Sequence, residues 1–192
     1  MNNNKIKKIT GVGILAAIVV VLQIIANYVT IGSVSITLSL IPIVIGAIIY
    51  GKNSGALLGF INGIVIILAP STLSLFMPFN PLATIFICLI KTSIAGYIAG
   101  LIFELLNKKH YKLSFVLAAL IVPIINTGLF YLGSILFFMP VISKFAPEGQ
   151  NMYAYLFLGF IGINFLIEFA VNSLLSPTMI YIINTFKKLN NK

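Results

Sequence analysis

Negative charge is almost missing from this chain. Its 192 residues include three acidic side chains, Glu104, Glu148 and Glu168, and no aspartate. Arginine is absent as well, so the 12 basic residues are all lysines, and there is one histidine, His110, and one cysteine, Cys88. These absences exclude whole classes of chemistry. A zinc site, an aspartyl protease or a metal-dependent transferase lacks its ligands and carboxylate pairs, and a disulfide lacks its second thiol. There is no Gly-x-x-x-x-Gly-Lys-Ser/Thr loop to cradle a nucleotide phosphate. A serine nucleophile inside the apolar runs would have no base beside it. The chain therefore reads as a non-enzyme without cofactor or metal, with His110 solvated in a basic turn and Cys88 serving as a small packing residue.

What is present is apolar. Hydrophobic residues make up 60% of the chain and charged residues 8%, the mean hydropathy is +1.13, and apolar runs recur from Ile9 to Phe186. This is the composition of an integral membrane protein. At about 20 residues per spanning helix the length holds roughly five to seven helices, in a single membrane domain over 1–192. The net charge of +9 does not indicate nucleic acid, because the lysines sit in short clusters between apolar runs, where membrane topology explains them.

The apolar runs divide into six helices over about 9–29, 37–50, 53–69, 81–106, 113–139 and 153–186, an all-α bundle in which the second and third tilt or only just cross. The first is retained rather than cleaved as a signal, since it is long and Asn27-Tyr28-Val29-Thr30 offers no small-x-small site. Placing both termini in the cytoplasm puts every loop lysine except Lys144 inside, and this requires an even number of spans. Residues 30–36, 70–80 and 140–152 are then outer loops. Pro123 and Pro177 are expected to kink the fifth and sixth helices.

Small residues recur every four positions at Gly51, Gly55, Gly59 and Gly63, and again at Gly96 and Gly100, which reads as close packing between helices. Gly13, Ala16 and Ala17 in helix one form a similar stripe that either packs internally or faces a partner protein.

Polar residues inside the apolar runs are few. Asn164, Glu168 and Asn172 lie four apart and share one helical face. A carboxylate at that depth needs a partner, and Lys91, the lysine inside another apolar run, is the expected one. Counted at about 1.5 Å per residue from the outer helix ends, Lys91 lies roughly 15 Å in, Asn164 16 Å, Asn126 20 Å and Glu168 22 Å. Asn80 and Thr84 sit nearer the outer mouth. One reading is a pocket open to the outside in which Lys91 meets an anionic group, the asparagines orient amides or hydroxyls, and Phe76, Phe79 and Tyr131 supply apolar walls. The other is that Lys91 and Glu168 neutralise each other and fix helix four against helix six. The accompanying asparagines favour the pocket, because a purely structural pair does not need them.

These residues resemble the substrate-binding S components of energy-coupling factor (ECF) vitamin transporters. The similar stretches are Leu38 to Gly51 followed by Gly55-x-x-x-Gly59, Asn80-Pro81-Leu-Ala-Thr84 through Lys91 to Gly96-x-x-x-Gly100, Asn126-Thr127, and Asn164-x-x-x-Glu168-x-x-x-Asn172. The pattern looks most like the pantothenate branch, although Ile90-Lys91 stands where that branch commonly has proline and arginine. The resemblance implies a multi-pass binding subunit of a bacterial cell membrane. It implies a pocket built from Asn80, Thr84, Lys91, Asn126, Tyr131, Asn164, Glu168 and Asn172 for a water-soluble vitamin: pantothenate first, folate or another otherwise. It also implies partners, a membrane scaffold (T) component contacted by Gly13, Ala16 and Ala17 and two cytoplasmic ATPases. The alternative class is a structural polytopic protein of the rod-shape machinery, with no transported ligand.

Overall fold

The computed structural model describes residues 3–28, 30–31, 34–35, 37–147, 149 and 151–190. Residues 32, 33 and 36 of the first expected outer loop, 148 and 150 of the third, and the terminal Lys192 lie outside the described residues. The chain forms α1 (Asn3–Asn27), two strands of two residues each (β1, Thr30–Ile31, and β2, Val34–Ser35), then α2 (Leu40–Tyr50), α3 (Lys52–Ile67), α4 (Pro81–Leu106) and α5 (Tyr111–Phe137). After the short α6 (Met139–Ile142), α7 (Met152–Ala154) runs through a π-helical stretch, Tyr155–Ile161, into α8 (Gly162–Asn190).

Among the described residues four segments are long and apolar enough to cross a membrane: Lys5–Asn27, Pro81–Leu106, Tyr111–Phe137 and Met152–Tyr181. Two further apolar helices, α2 and α3, are shorter. With 11 and 16 residues, α2 and α3 are about 16 and 24 Å long against a hydrocarbon core of about 30 Å. The second helix, expected from residue 37, starts at Leu40 as α2. The expected loop over 70–80 is also more ordered, with a π-helical turn at Thr72–Phe76. Helix four falls where Asn80-Pro81 places it: the Asn80 side chain accepts from the Ala83 amide at 3.1 Å and Pro81 takes the first turn, where no amide donor is needed. The linker between α4 and α5 leaves His110 exposed.

Short as it is, α2 lies at the centre, with eight residues from Leu40 to Ile48 buried. Around it, Val12, Val19, Leu58, Ala95, Ala99, Phe115, Val122, Met179 and Ile183 form one apolar cluster. A second cluster gathers Phe76, Ile87, Phe130, Phe138, Leu156, Phe160 and Ile161.

The most extensive helix contact is the antiparallel crossing of α3 and α4, and the spaced glycines make it. A methyl group on Gly55 would overlap the Gly96 carbonyl, one on Gly59 the Thr92 carbonyl, and one on Gly63 the Cys88 carbonyl. Each step of four along α3 is matched by a step of four back along α4. The side chain of Thr92 donates across the seam to the Gly59 carbonyl at 2.6 Å. Gly51 serves differently: with φ of 92° it makes the turn from α2 into α3, a conformation side chains resist. On α1, Gly13 meets nothing within 4 Å. Gly13 and Ala17 are exposed, whereas Ala16 packs against the first cluster.

A buried polar network ties α1 to the start of α2 and to α3. Gln23 donates to Asn27 at 2.9 Å, and Asn27 donates to the Val65 carbonyl at 3.1 Å. Ser39 Oγ lies 2.8 Å from Gln23 Oε1 and 2.6 Å from Asn62 Oδ1. A hydroxyl carries one proton and can serve only one of these acceptors. Turning the Asn62 amide about its terminal bond puts its otherwise unpartnered Nδ2 on the Ser39 oxygen and satisfies both.

Two stability predictions come from these contacts, both measured by thermal unfolding in detergent. Gly59→Ala is expected to destabilise by about 1–3 kcal/mol by forcing backbone apart, while Gly128→Ala, with nothing within 4 Å of the added methyl, is neutral or stabilising. Ser39→Ala is expected to lose about 1–2 kcal/mol by leaving two amides unserved inside the membrane, and Gln23→Leu on top of it should cost more, because it also strips the buried Asn27 of its donor.

Candidate ligand-binding site

The polar residues singled out in α4, α5 and α8 lie where the two apolar clusters meet. Lys91 falls between Ile87 of one cluster and Ala95 of the other, Asn126 between Phe130 and Val122, and Glu168 between Ile161 and Met179. Apolar packing on both sides thus holds a polar layer at one level of the bundle.

Glu168 is 5% exposed and its two oxygens are separately engaged. The backbone amide of Thr37 donates to Oε1 at 2.7 Å, and the Asn126 Nδ2 donates to Oε2 at 3.3 Å. One turn further along α8, Asn172 donates back to the Glu168 carbonyl at 2.8 Å. Lys91, 7% exposed, does not form the expected ion pair. Its ammonium lies 4.7 Å from the centre of the Phe130 ring, and among the described residues the ion pair found is Lys52 with Glu104 at 2.9 Å. The correction has a local cause. The Thr37 amide and Asn126 reach the carboxylate first, and an aromatic face takes the ammonium.

Thr37, Lys91, Asn126, Thr127, Phe130, Ile161, Asn164 and Glu168 line one small cavity. A second adjoins it, sharing Thr37, Lys91 and Phe130 and extending past Thr84, Cys88 and Ser71 to Thr72, Phe76 and Phe138. Each has a volume of about 20 Å³, room for a water molecule or two. The pocket expected to be open is therefore contracted. Phe76, which lines the second cavity, stands edge-on to Phe138, Phe130 and Phe160 at centroid distances of 4.9, 5.8 and 6.4 Å.

Of the residues singled out from the sequence, the first cavity brings Lys91, Asn126, Asn164 and Glu168 together, and the second adds Thr84 and Phe76. The others lie elsewhere. Asn80 caps α4, Asn172 supports Glu168 through its backbone, and Phe79 is exposed. Tyr131 stands edge-on to Phe157 along a separate apolar groove between α5 and the last helix. Sequence reasoning missed Thr37, Ser71, Thr72 and Phe130. Phe130 carried a signal, since it follows Asn126 by four residues and so shares its helical face. Thr37 contributes a backbone amide, for which side-chain identity gives no sign.

Comparison with known proteins bears on this geometry. Residues 7–180 match the family described as ECF transporter, substrate-specific component. No curated protein matches the chain. Among solved structures, ThiT from Listeria monocytogenes is similar, with a TM-score of 0.64 at 20% identity over 92% of this chain and 96% of that one. At that identity the likeness speaks for the fold alone. The family match spans nearly the whole membrane part, including every residue of the polar layer, and the chain belongs to the substrate-specific components of ECF transporters.

Proposed function

We propose that this chain binds a water-soluble vitamin on the outer side of a bacterial cell membrane and delivers it inward as the specificity subunit of an ECF-type importer. Pantothenate is the favoured ligand, with folate or another vitamin as alternatives. The observation that carries the reading is a buried ammonium, Lys91, with no hydrogen bond of its own among the described residues, facing a cavity shared with Asn126, Asn164 and Glu168. A buried charge without a bonded partner is expensive in a membrane protein, and such groups mark ligand pathways. The proposed site comprises Thr84, Lys91, Asn126, Asn164 and Glu168, joined by Thr37 and Phe130. Asn80, Tyr131 and Asn172 support it from the helix cap, the neighbouring groove and the turn beyond Glu168.

The proposed topology has six helices in one domain over 1–192, α2 and α3 included, with both termini cytoplasmic. The lysine distribution supports it. The proposed partners are a membrane scaffold component and two cytoplasmic ATPases, since the chain carries no nucleotide-binding loop of its own. Gly13 and Ala17 face outward from α1 and are the proposed scaffold contacts, with Ala16 at their inner edge. The structural rod-shape alternative is not favoured by the family match.

Thermal unfolding of the purified chain against a panel of water-soluble vitamins tests the binding reading. A ligand at about 100 times its Kd adds roughly 2.7 kcal/mol, so one member is expected to raise Tm selectively, and a folded protein indifferent to the whole panel would count against the reading. The docking surface has its own test. Gly13→Trp and Ala17→Trp are expected to leave binding intact and abolish uptake in cells that hold the complete importer, and normal uptake by both would remove the assignment.

A further inference from the structure

The polar atoms of the site are not equally satisfied. Glu168 accepts from the Thr37 amide on one oxygen and from Asn126 on the other, so its charge is already bonded within the protein. Asn126, 2% exposed, gives its nitrogen to Glu168 and leaves Oδ1 without a partner. Rotating that amide by half a turn would set oxygen against carboxylate, acceptor against acceptor, so Glu168 decides which way it faces. Lys91 carries three donors, none of them hydrogen-bonded among the described residues, and its ammonium lies over the ring of Phe130. Both Lys91 and Asn126 line the same cavity.

We infer that Glu168 sets the hydrogen-bond polarity of the site instead of binding the ligand, and that the ligand is an organic anion that also carries a hydroxyl or N–H group. Its anionic group takes the Lys91 ammonium from the Phe130 ring, and its donor meets Asn126 Oδ1. In a site shielded from water an anion is a stronger partner for an ammonium than a ring face. A cationic ligand would meet Lys91 and find the Glu168 charge already engaged. Glu168 is thus a positioning residue, and Lys91 and Asn126 are the contacts. The inference rests on the proposed binding function and narrows its substrate class.

The test uses the full chain in detergent and titration calorimetry with matched probes: pantothenate against panthenol, biotin against its methyl ester, nicotinate as an anion without a donor, and thiamine as a cation. One of the donor-bearing acids is expected to bind, its uncharged counterpart to bind roughly 10- to 100-fold more weakly, and nicotinate and thiamine to bind poorly. Lys91→Gln should erase the preference for the acid and Lys91→Arg should keep it. Glu168→Gln should weaken the acid yet preserve its advantage over the neutral counterpart, because Lys91 still meets the anion. If Lys91→Gln does not fold, the wild-type pairs and Lys91→Arg decide. Equal affinity for acid and neutral counterpart, nicotinate matching the best acid, or thiamine binding that Glu168→Gln destroys would each overturn the inference while leaving a binding subunit in place. A folded protein that binds no probe would count against the binding function itself, and the inference would fall with it.

Discussion

Non-helical backbone inside a bilayer persists only where protein groups replace water as hydrogen-bond partners. Here that partner is Glu168. The Thr37 amide, just ahead of α2, ends on the Glu168 carboxylate, 131 residues away. Two residues on, Ser39 joins Gln23 and Asn62. The segment leading into α2 and the buried carboxylate of α8 are thus linked by one hydrogen bond, and Asn126 holds the other carboxylate oxygen. This arrangement brings a backbone segment to the level of Lys91, where side chains alone would have to line the cavity.

The surroundings divide into stiff and loose parts. Lipid tails are as apolar as leucine, so helices in a membrane gain little from hiding apolar surface and depend on close packing and on hydrogen bonds between helices. The α3–α4 seam has both, with glycines at Gly55, Gly59, Gly63 and Gly96 and the Thr92 hydroxyl bonded across it. Lys91 and Thr84 are mounted on this pair. In contrast, 17% of the apolar window of α1 is buried in the bundle, against 44% for those of α4 and α5. The Gln23–Asn27 network adds polar contacts near the C-terminal end of α1 to the apolar contacts of Val12, Ala16 and Val19, and the Gly13–Ala17 face stays uncovered.

Much of this arrangement was legible in the sequence because membrane composition leaves so few polar residues to interpret. The bounds of α4 follow from Asn80-Pro81 and Asn107, and the four-residue spacing of Asn164, Glu168 and Asn172 located the face of α8 that turns inward. Depth counting from the helix ends brought Lys91, Asn126, Asn164 and Glu168 to one level, and they share a cavity. The pairing within that level was not legible. Sequence identifies which charges are buried, but which neighbour reaches them first depends on distances of a few ångströms, and backbone donors such as the Thr37 amide have no sequence signature. Gln23, Asn27 and Asn62 did carry one, since Gln23 and Asn27 lie four apart and Asn62 sits among the spaced glycines. They form a second polar cluster whose role is to hold helices together.

The separation of Lys91 from Glu168 is the feature that favours the proposed binding site over a structural lock. Two opposite charges in contact inside a membrane would satisfy each other and leave no demand for a third group. Here the carboxylate is bonded by an amide of the backbone and an amide of a side chain, while the ammonium rests on an aromatic face. Such a contact offsets only part of the lost hydration, being weaker than a charge-assisted hydrogen bond. The ammonium is thus buried but under-satisfied, and Asn126 Oδ1 beside it is an acceptor without a donor. Donors and an acceptor left over in one cavity are the pattern on which the proposed ligand class rests. The likeness at 20% identity concerns the fold, and the proposed specificity rests on these few polar atoms.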